Sequence, residues 1–426
     1  MARVKTFKPG GLHVETYRHL TPSSPWEHLP IPSVAVVSAV QYPGAQAEWK
    51  VTLGQRVEEE QLLADGLRAD DVSLHAPIPG IVEAFHEIQL ASGERSQTVV
   101  IRLDGTFQKT GKPAQRREWK TLSSDQLIQI IGEQGVPLLA STLDKPFRFT
   151  SAGSEVKTLV INAVQPEPYQ TLGLHIVEDK FDEILEAIRI LERAFAVSRT
   201  FFAADPENPA AWKRRFVPRL TGIQVFLTQL KYPQAQRKVL LKTLGLSDQP
   251  QGTLLVVEPG TLLAVYQAVV LNHAYVEKPV VVTGDAVTNP GVYRVRLGTP
   301  LAELIRAAGG MKPNALVVHG GPFRGNAVTD LASPVMKSTQ SILVLDPKHR
   351  RESVELPCIH CGACANVCPA GIRPHHLFRA LAQSDTADAL NEGLNSCVQC
   401  GLCAFVCPSR IPLAETFAAA QGDSLA

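Results

Sequence analysis

Two cysteine runs near one end of the chain restrict its fold more than any other feature. Cys358-Ile-His-Cys361-Gly-Ala-Cys364-Ala-Asn-Val-Cys368-Pro369 and Cys397-Val-Gln-Cys400-Gly-Leu-Cys403-Ala-Phe-Val-Cys407-Pro408 share the spacing C-x2-C-x2-C-x3-C-P and hold all eight cysteines of the 426 residues. Three thiolates two residues apart can wrap one region of an iron–sulfur cube, with Gly362 or Gly401 permitting the tight turn. The fourth cysteine, one helical turn on, points away and completes the other cluster. The spacing assigns Cys358, Cys361, Cys364 and Cys407 to one [4Fe–4S] cluster, and Cys397, Cys400, Cys403 and Cys368 to a second. Zinc also uses C-x2-C, but in two separated pairs rather than a repeated triplet closed by C-P. Cytosolic thiols stay reduced, which favours metal over disulfides. Two clusters with crossed ligands lie close together and pass one electron at a time. Between the runs, Leu377, Phe378, Leu381, Leu390 and Leu394 predict helix over Pro374 to Leu394. His360, His375 and His376 are expected beside the clusters, since the cysteines already satisfy both.

The chain is too long for one hydrophobic core, so several domains are expected. Lysine plus arginine (42) nearly cancel aspartate plus glutamate (41), which gives no basic excess for nucleic acid and no polybasic tail for anionic lipid. The apolar stretch from Thr253 to Val270 is interrupted by Glu258, Pro259 and Gly260, and falls short of the ~18 apolar residues of a membrane span. Met-Ala-Arg-Val-Lys-Thr-Phe-Lys lacks the apolar core of a signal peptide. These features predict a soluble cytoplasmic protein that can sit against a membrane complex.

Four units are expected, making a multidomain α/β chain. Residues 1–110 read as β-rich: Val51 to Leu63 and His75-Ala-Pro77-Ile-Pro-Gly80-Ile-Val82 look like the halves of a lipoyl-type hybrid domain. Ala64 to Ser73 contains no lysine, so nothing there can carry lipoate or biotin. Residues 111–275 alternate strand and helix, which implies a mainly parallel sheet in a Rossmann-like layer. Strands are expected at Val156–Asn162, Gly222–Leu227 and Thr253–Val257, and helices over Lys180–Phe195, Gln234–Leu244 and Thr261–Leu271. Ligands of such sheets bind at the carboxyl ends of strands, here Asn162-Ala-Val-Gln165-Pro-Glu167-Pro168-Tyr169. Residues 276–350 read as a β-grasp unit, with a hairpin around Val281 to Val295, a short helix from Thr299 to Ala308, and a strand at Ala315-Leu-Val-Val. Gly320-Gly321-Pro322-Phe-Arg-Gly325 lacks a P-loop lysine and is expected to be a structural turn. Residues 351–426 form the two-cluster, ferredoxin-type helical domain.

Together these residues resemble the RnfC family of the Rnf ion-translocating electron-transport complex over nearly the whole chain. The likeness starts at Phe7-Lys-Pro-Gly10-Gly11-Leu-His13 and the lipoyl-like unit. It runs through Asn162…Glu167-Pro168-Tyr169, Tyr232-Pro233-Gln234, the SLBB-like β-grasp unit and Pro357-Cys358 onward. The α/β unit is similar to the flavin- and NADH-binding part of respiratory complex I. The resemblance implies an electron-transfer component of a translocase-class oxidoreductase, peripheral on the cytoplasmic side of the bacterial inner membrane. Its partners are then the membrane proteins of the complex, and above all its ferredoxin-like cluster protein. It also implies FMN and NAD(H), with Asn162, Glu167 and Tyr169 in the flavin site. That site is degenerate here. The family's G-x-G-G-A-G-F-P-T loop corresponds to Gly135-Val-Pro-Leu-Leu-Ala-Ser141-Thr142, where bulky Leu138 and Leu139 would obstruct a backbone approach to the cofactor. N-G-A-E-C-E-P-Y carries Ala163 and Gln165, and Y-P-Q-G-G carries Ala235 and Gln236. The fold is expected to persist while FMN and NADH binding is lost or strongly altered. The chain then acts as a wire fed by a soluble flavodoxin or ferredoxin. The alternatives are an FMN-dependent NADH:acceptor oxidoreductase component, with ferredoxin or cobalamin as acceptor, or mainly a docking scaffold.

Overall fold

The computed structural model describes residues 3–21, 25–42, 44–67, 72–105, 116–138, 156–250, 252–349 and 354–423. The run Thr158-Leu-Val-Ile-Asn-Ala163 does not alternate apolar and polar residues, and all six are buried. That pattern belongs to the middle of a parallel sheet covered on both faces. This strand pairs in parallel with Arg199–Ala204 on one side and Leu254–Val257 on the other, and Gln224–Thr228 and Arg3–Lys5 extend the first side. Leu159, Ile161, Phe202 and Val257 face the helices Ser124–Glu133, Leu172–Asp179, Phe181–Ala194 and Pro259–Val269. Val160, Phe201 and Val256 face the helix Arg237–Leu244. The chain leaves the central strand in both directions, so a crevice opens at the carboxyl ends of Thr158–Ala163 and Leu254–Val257.

Two β units flank that crevice. In the β-grasp unit, Glu277–Thr283 pairs antiparallel with Gly291–Arg296 and parallel with Ser341–Leu345, which in turn pairs with Leu316–His319. Helix Leu301–Ala307 packs Leu301, Leu304 and Ile305 onto its core. In the hybrid unit, a four-stranded and a three-stranded sheet share a core of Val37, Leu63, Ile78, Val82 and Val99. Gly80 permits the close crossing: a Cβ there would lie 2.1 Å from the Arg102 carbonyl oxygen.

The cluster unit differs from the single helix expected between the cysteine runs. Pro374–Ala382 and Thr386–Asn391 are separate helices. Ser384 turns to φ 56, and the Asp385 side chain caps the second helix by accepting from Asp388 N. Before residue 30 the chain reaches beyond the hybrid unit. Arg3–Lys5 forms the edge of the parallel sheet, Gly11 N donates to Val367 O at 2.9 Å, and Glu27–His28 joins the β-grasp sheet beside Tyr293 and Arg294. This stretch is a strap across three units, because its segments are too short to pair with one another and each finds a foreign sheet edge or loop. Among the described residues no helix is long and apolar enough to cross a membrane.

Candidate functional site

Each cysteine run folds the same way. Gly362 (φ 74) and Gly401 (φ 75) take the left-handed conformation that ends the first turn, and four-residue helices Ala363–Asn366 and Leu402–Phe405 follow. Cys358, Cys361, Cys364 and Cys407 line one cavity, closed by Phe378, Ile411 and Leu413. Cys397, Cys400 and Cys403 each lie close enough to Cys368 to feel its charge. The structure therefore brings the fourth cysteine of each run to the triplet of the other. Burial pushes the Cys400 thiol up to about 12 and raises Cys397 and Cys403 as well. Such thiols ionise only when a metal shares the site, and an all-thiolate donor set suits an iron–sulfur cluster. His375 Nδ1 lies 3.9 Å from Cys364 Sγ, with His360 and His376 packed around it, so the histidines stand beside the first cavity.

The two cysteine groups face different surroundings. In the first group Cys358 and Cys361 are exposed and Cys364 is buried, whereas in the second Cys368 and Cys400 are buried and neither Cys397 nor Cys403 is fully exposed. Tyr232 Oη donates to the Cys400 carbonyl at 2.6 Å, its ring stacks on Phe323 at 4.5 Å, and Phe323 meets Phe405 edge-on at 5.1 Å. On the other side, a Cβ at Gly10 would lie 2.4 Å from Cys368 O. The strap and the β-grasp unit thus grip the second group from two directions.

The crevice at the strand ends is polar but largely self-satisfied. Asn162 Nδ2 donates to Ala235 O at 2.9 Å, and Asn162 Oδ1 accepts from Val164 N. Glu167 is 5% exposed, and its Oε2 accepts from Phe323 N at 2.8 Å and Arg324 N at 3.2 Å. The glycine-rich turn therefore does hold an anion with its amides, but the anion is the protein's own carboxylate. A Cβ at Gly321 would strike it at 2.5 Å. Tyr169 (φ 69) stacks on Tyr17, with ring centroids 4.1 Å apart and planes 4° apart. Gln165 bridges Arg18 Nε and the carbonyls of Thr16 and Glu167. Among the described residues, these side chains bond or stack with the protein's own groups. Leu138 does not obstruct the crevice as expected: it is buried in the core under the parallel sheet. Leu139 and Ala140-Ser141-Thr142 lie outside the described residues.

Sequence reasoning missed the charged groups here. Arg18 is buried against Asp205, with Nη2 to Oδ2 at 2.9 Å, and burial raises the Asp205 carboxyl to about 6 although Arg18 opposes this. Lys337 Nζ donates to Ser73 O at 2.8 Å and to Gly135 O at 2.6 Å, and Lys278 Nζ donates to Lys337 O at 2.6 Å. Burial lowers both ammonium groups to about 7. Lys337 thus ties the hybrid, α/β and β-grasp units together at one atom. A lone lysine at the margin of a strand reads as solvated, so no local signal pointed to either.

Four family models match in order: an RnfC barrel-sandwich hybrid domain over residues 5–106, a Nuo51 FMN-binding domain over 145–274, an SLBB domain over 279–325 and a 4Fe–4S dicluster domain over 357–412. The RnfC protein of the ion-translocating oxidoreductase complex of Rhodobacter capsulatus is 32% identical over 97% of this chain and 82% of its own length. The corresponding protein of the proton-translocating ferredoxin:NAD(+) oxidoreductase complex of Clostridium ljungdahlii is 28% identical over 92% of this chain and 88% of its own. Among solved structures, an NAD+-reducing [NiFe]-hydrogenase aligns with a TM-score of 0.43 at 15% identity, covering 67% of this chain and 56% of that one. At 32% identity over 97% of its length to the Rhodobacter capsulatus protein, and with an RnfC hybrid domain matched over residues 5–106, the chain belongs to the RnfC family of ion-translocating oxidoreductase complexes.

Proposed function

We propose that this chain is the peripheral electron-transfer subunit of an Rnf-type ion-translocating oxidoreductase, passing electrons through two [4Fe–4S] clusters. Cys358, Cys361, Cys364 and Cys407 hold the first, and Cys368, Cys397, Cys400 and Cys403 hold the second. The observation that carries this reading is the crossing of the two runs into two cysteine groups, the first with Cys358 and Cys361 at the surface and the second with Cys368 and Cys400 buried. Bound clusters supply one-electron transfer. The protein supplies thiolates, a dry wall of Ile411, Leu413 and Phe378, and a rigid mount through Tyr232 and Gly10.

The exposed group is the natural contact for a protein partner, such as the ferredoxin-like cluster protein of the complex or a soluble flavodoxin or ferredoxin. The chain docks on the cytoplasmic side of the bacterial inner membrane. Asn162, Glu167 and Tyr169 are engaged with the protein itself, which favours a protein donor over direct NADH oxidation. A second reading, an FMN-dependent NADH:acceptor oxidoreductase, is favoured by one observation: Asn162 and the buried lysines Lys278 and Lys337 line one crevice at the strand ends.

Metal and flavin content after anaerobic purification, followed by NADH addition, separates the two. About eight irons per chain, no flavin and no bleaching by NADH support the protein-fed wire. Bound FMN with bleaching by NADH would establish the second reading instead.

A further inference from the structure

Glu167 is one residue away from the loop of the second cysteine group. Phe323 N–H donates to Glu167 Oε2, while the carbonyl oxygen of the same Phe323 lies against Gly401, where a Cβ would be 2.6 Å away. Gly401 directly follows Cys400, whose own carbonyl takes the Tyr232 hydroxyl. Phe323 and Tyr232 stack on each other and pack with Cys400 and Leu402, so aromatic rings stand between the carboxyl and the cysteines. On its other side Glu167 lines a cleft shared with Ser92, Glu94, Gln170 and Asn326, which gives protons a polar route from solvent.

We propose that Glu167 takes up a proton when the cluster held by Cys368, Cys397, Cys400 and Cys403 is reduced. This rests on the two-cluster reading above. The step balances simply. One electron arrives from a one-electron donor, the cluster gains one negative charge, and one solvent proton converts the Glu167 carboxylate to a carboxylic acid. Across a dry, weakly screening gap a new negative charge raises the proton affinity of a carboxylate strongly.

The groups facing Glu167 leave it as the acceptor. Burial already pushes its carboxyl up to about 7, against the pull of the Phe323 amide, Arg324 and the Arg324 amide. Tyr232 is held well above its ordinary value by burial, then by Glu167 and Cys400, so its hydroxyl is already protonated. His319 also lines the cleft, but burial and then Lys278 lower it to about 4. Glu258 shares a hydrogen bond with Gln340, and Glu94, raised by burial, lies on the far wall.

The test is a redox titration of the whole iron-loaded chain between pH 6 and 9, following each cluster by its electron paramagnetic resonance signal. The cluster whose signal Cys368→Ser removes should hold a constant potential below about pH 7, where Glu167 is protonated in both redox states. Above that its potential should fall, at a slope approaching one proton per electron. Glu167→Gln should abolish the slope, and Tyr232→Phe should move the potential yet keep it. Potentials flat with pH in the wild-type chain, or a slope that survives Glu167→Gln, overturn the proposal. Should Glu167→Gln not load iron, the wild-type chain decides alone. About one proton absorbed per reduced second cluster at pH 7.5, read with an indicator dye, supports the coupling, and none refutes it. A wild-type chain that loads no iron fails the electron-carrier reading, whereas a loaded chain with flat potentials fails only the proton coupling.

Discussion

Replacing Lys337 with methionine keeps the apolar stem and deletes a buried ammonium that three units share, and its effect should depend on pH. In the folded chain burial lowers this group from its ordinary 10.5 to about 7. Holding it charged in the fold therefore costs up to about 5 kcal/mol, at 1.36 kcal/mol for each tenfold change in proton binding. Its folded pKa lies below its unfolded one, so between about pH 7 and 10.5 the unfolded chain binds the extra proton. Wild-type stability should rise with pH through that window and be lost as pH falls toward 7. Between pH 7 and 9 the contribution of Lys337 is about 2 kcal/mol. Lys337→Met removes this dependence and leaves Ser73 O and Gly135 O without their donor, at about 1–3 kcal/mol each. The variant should be clearly less stable than wild type at pH 9, and the gap should narrow by about 2 kcal/mol at pH 7. Lys278 is lowered to about the same value and is present in both proteins, so it cancels in the comparison. Anaerobic scanning calorimetry of both proteins from pH 6.5 to 9.5 reads the difference. Transition temperatures that move in parallel with pH would mean that Lys337 carries no linked proton, and the reasoning fails.

Three further outcomes follow from the geometry. Cys368→Ser should cost the chain about four of its eight irons and abolish the signal of the second cluster while sparing the first, and Cys407→Ser should do the reverse; loss of the first cluster by Cys368→Ser would uncross the ligands. Asp205→Ala strands the buried Arg18 guanidinium, and breaking such a pair costs about 3–5 kcal/mol, measurable as a lowered calorimetric transition. Gly10→Ala forces a methyl to 2.4 Å from Cys368 O at φ +65, so the strap should lift and the second cluster should bleach faster in air than in the parent chain.

Much of the architecture was legible because each unit advertises its period. Thr158–Ala163 carries the apolar run Leu159-Val-Ile161, Phe181–Ala194 repeats buried Ile184, Ile188 and Leu191 at helical spacing, and the cysteine runs carry their own ligand arithmetic. What stayed hidden has no period. The strap touches other units through two or three residues at a time, and no local rule links Gly10 to Cys368. Glu167 shows the same limit. The motif around it pointed to a cofactor, yet its carboxylate is taken by amides 156 residues further on. The strand Arg199–Ala204 went unread because its apolar Phe201 and Phe202 follow a charged start and close on two alanines, which carry little strand preference. The helix break at Ser384 is set by a single capping aspartate, a detail that the apolar pattern cannot see.

The strap also imposes a timetable. Arg3–Lys5 must wait for Gln224–Thr228, and Gly11 must wait for Val367, before either has a partner. At the ~5–20 residues per second of ribosomal synthesis, that wait lasts on the order of tens of seconds. Until it closes, the sheet edge at Gln224–Thr228 and the loop at Cys368 stand open. Both strap partners, Gln224–Thr228 and Val367, are made before Cys397, Cys400 and Cys403 complete the second cysteine group. The order in which the strap can close and the second group can be completed is thus written in where their residues fall along the chain.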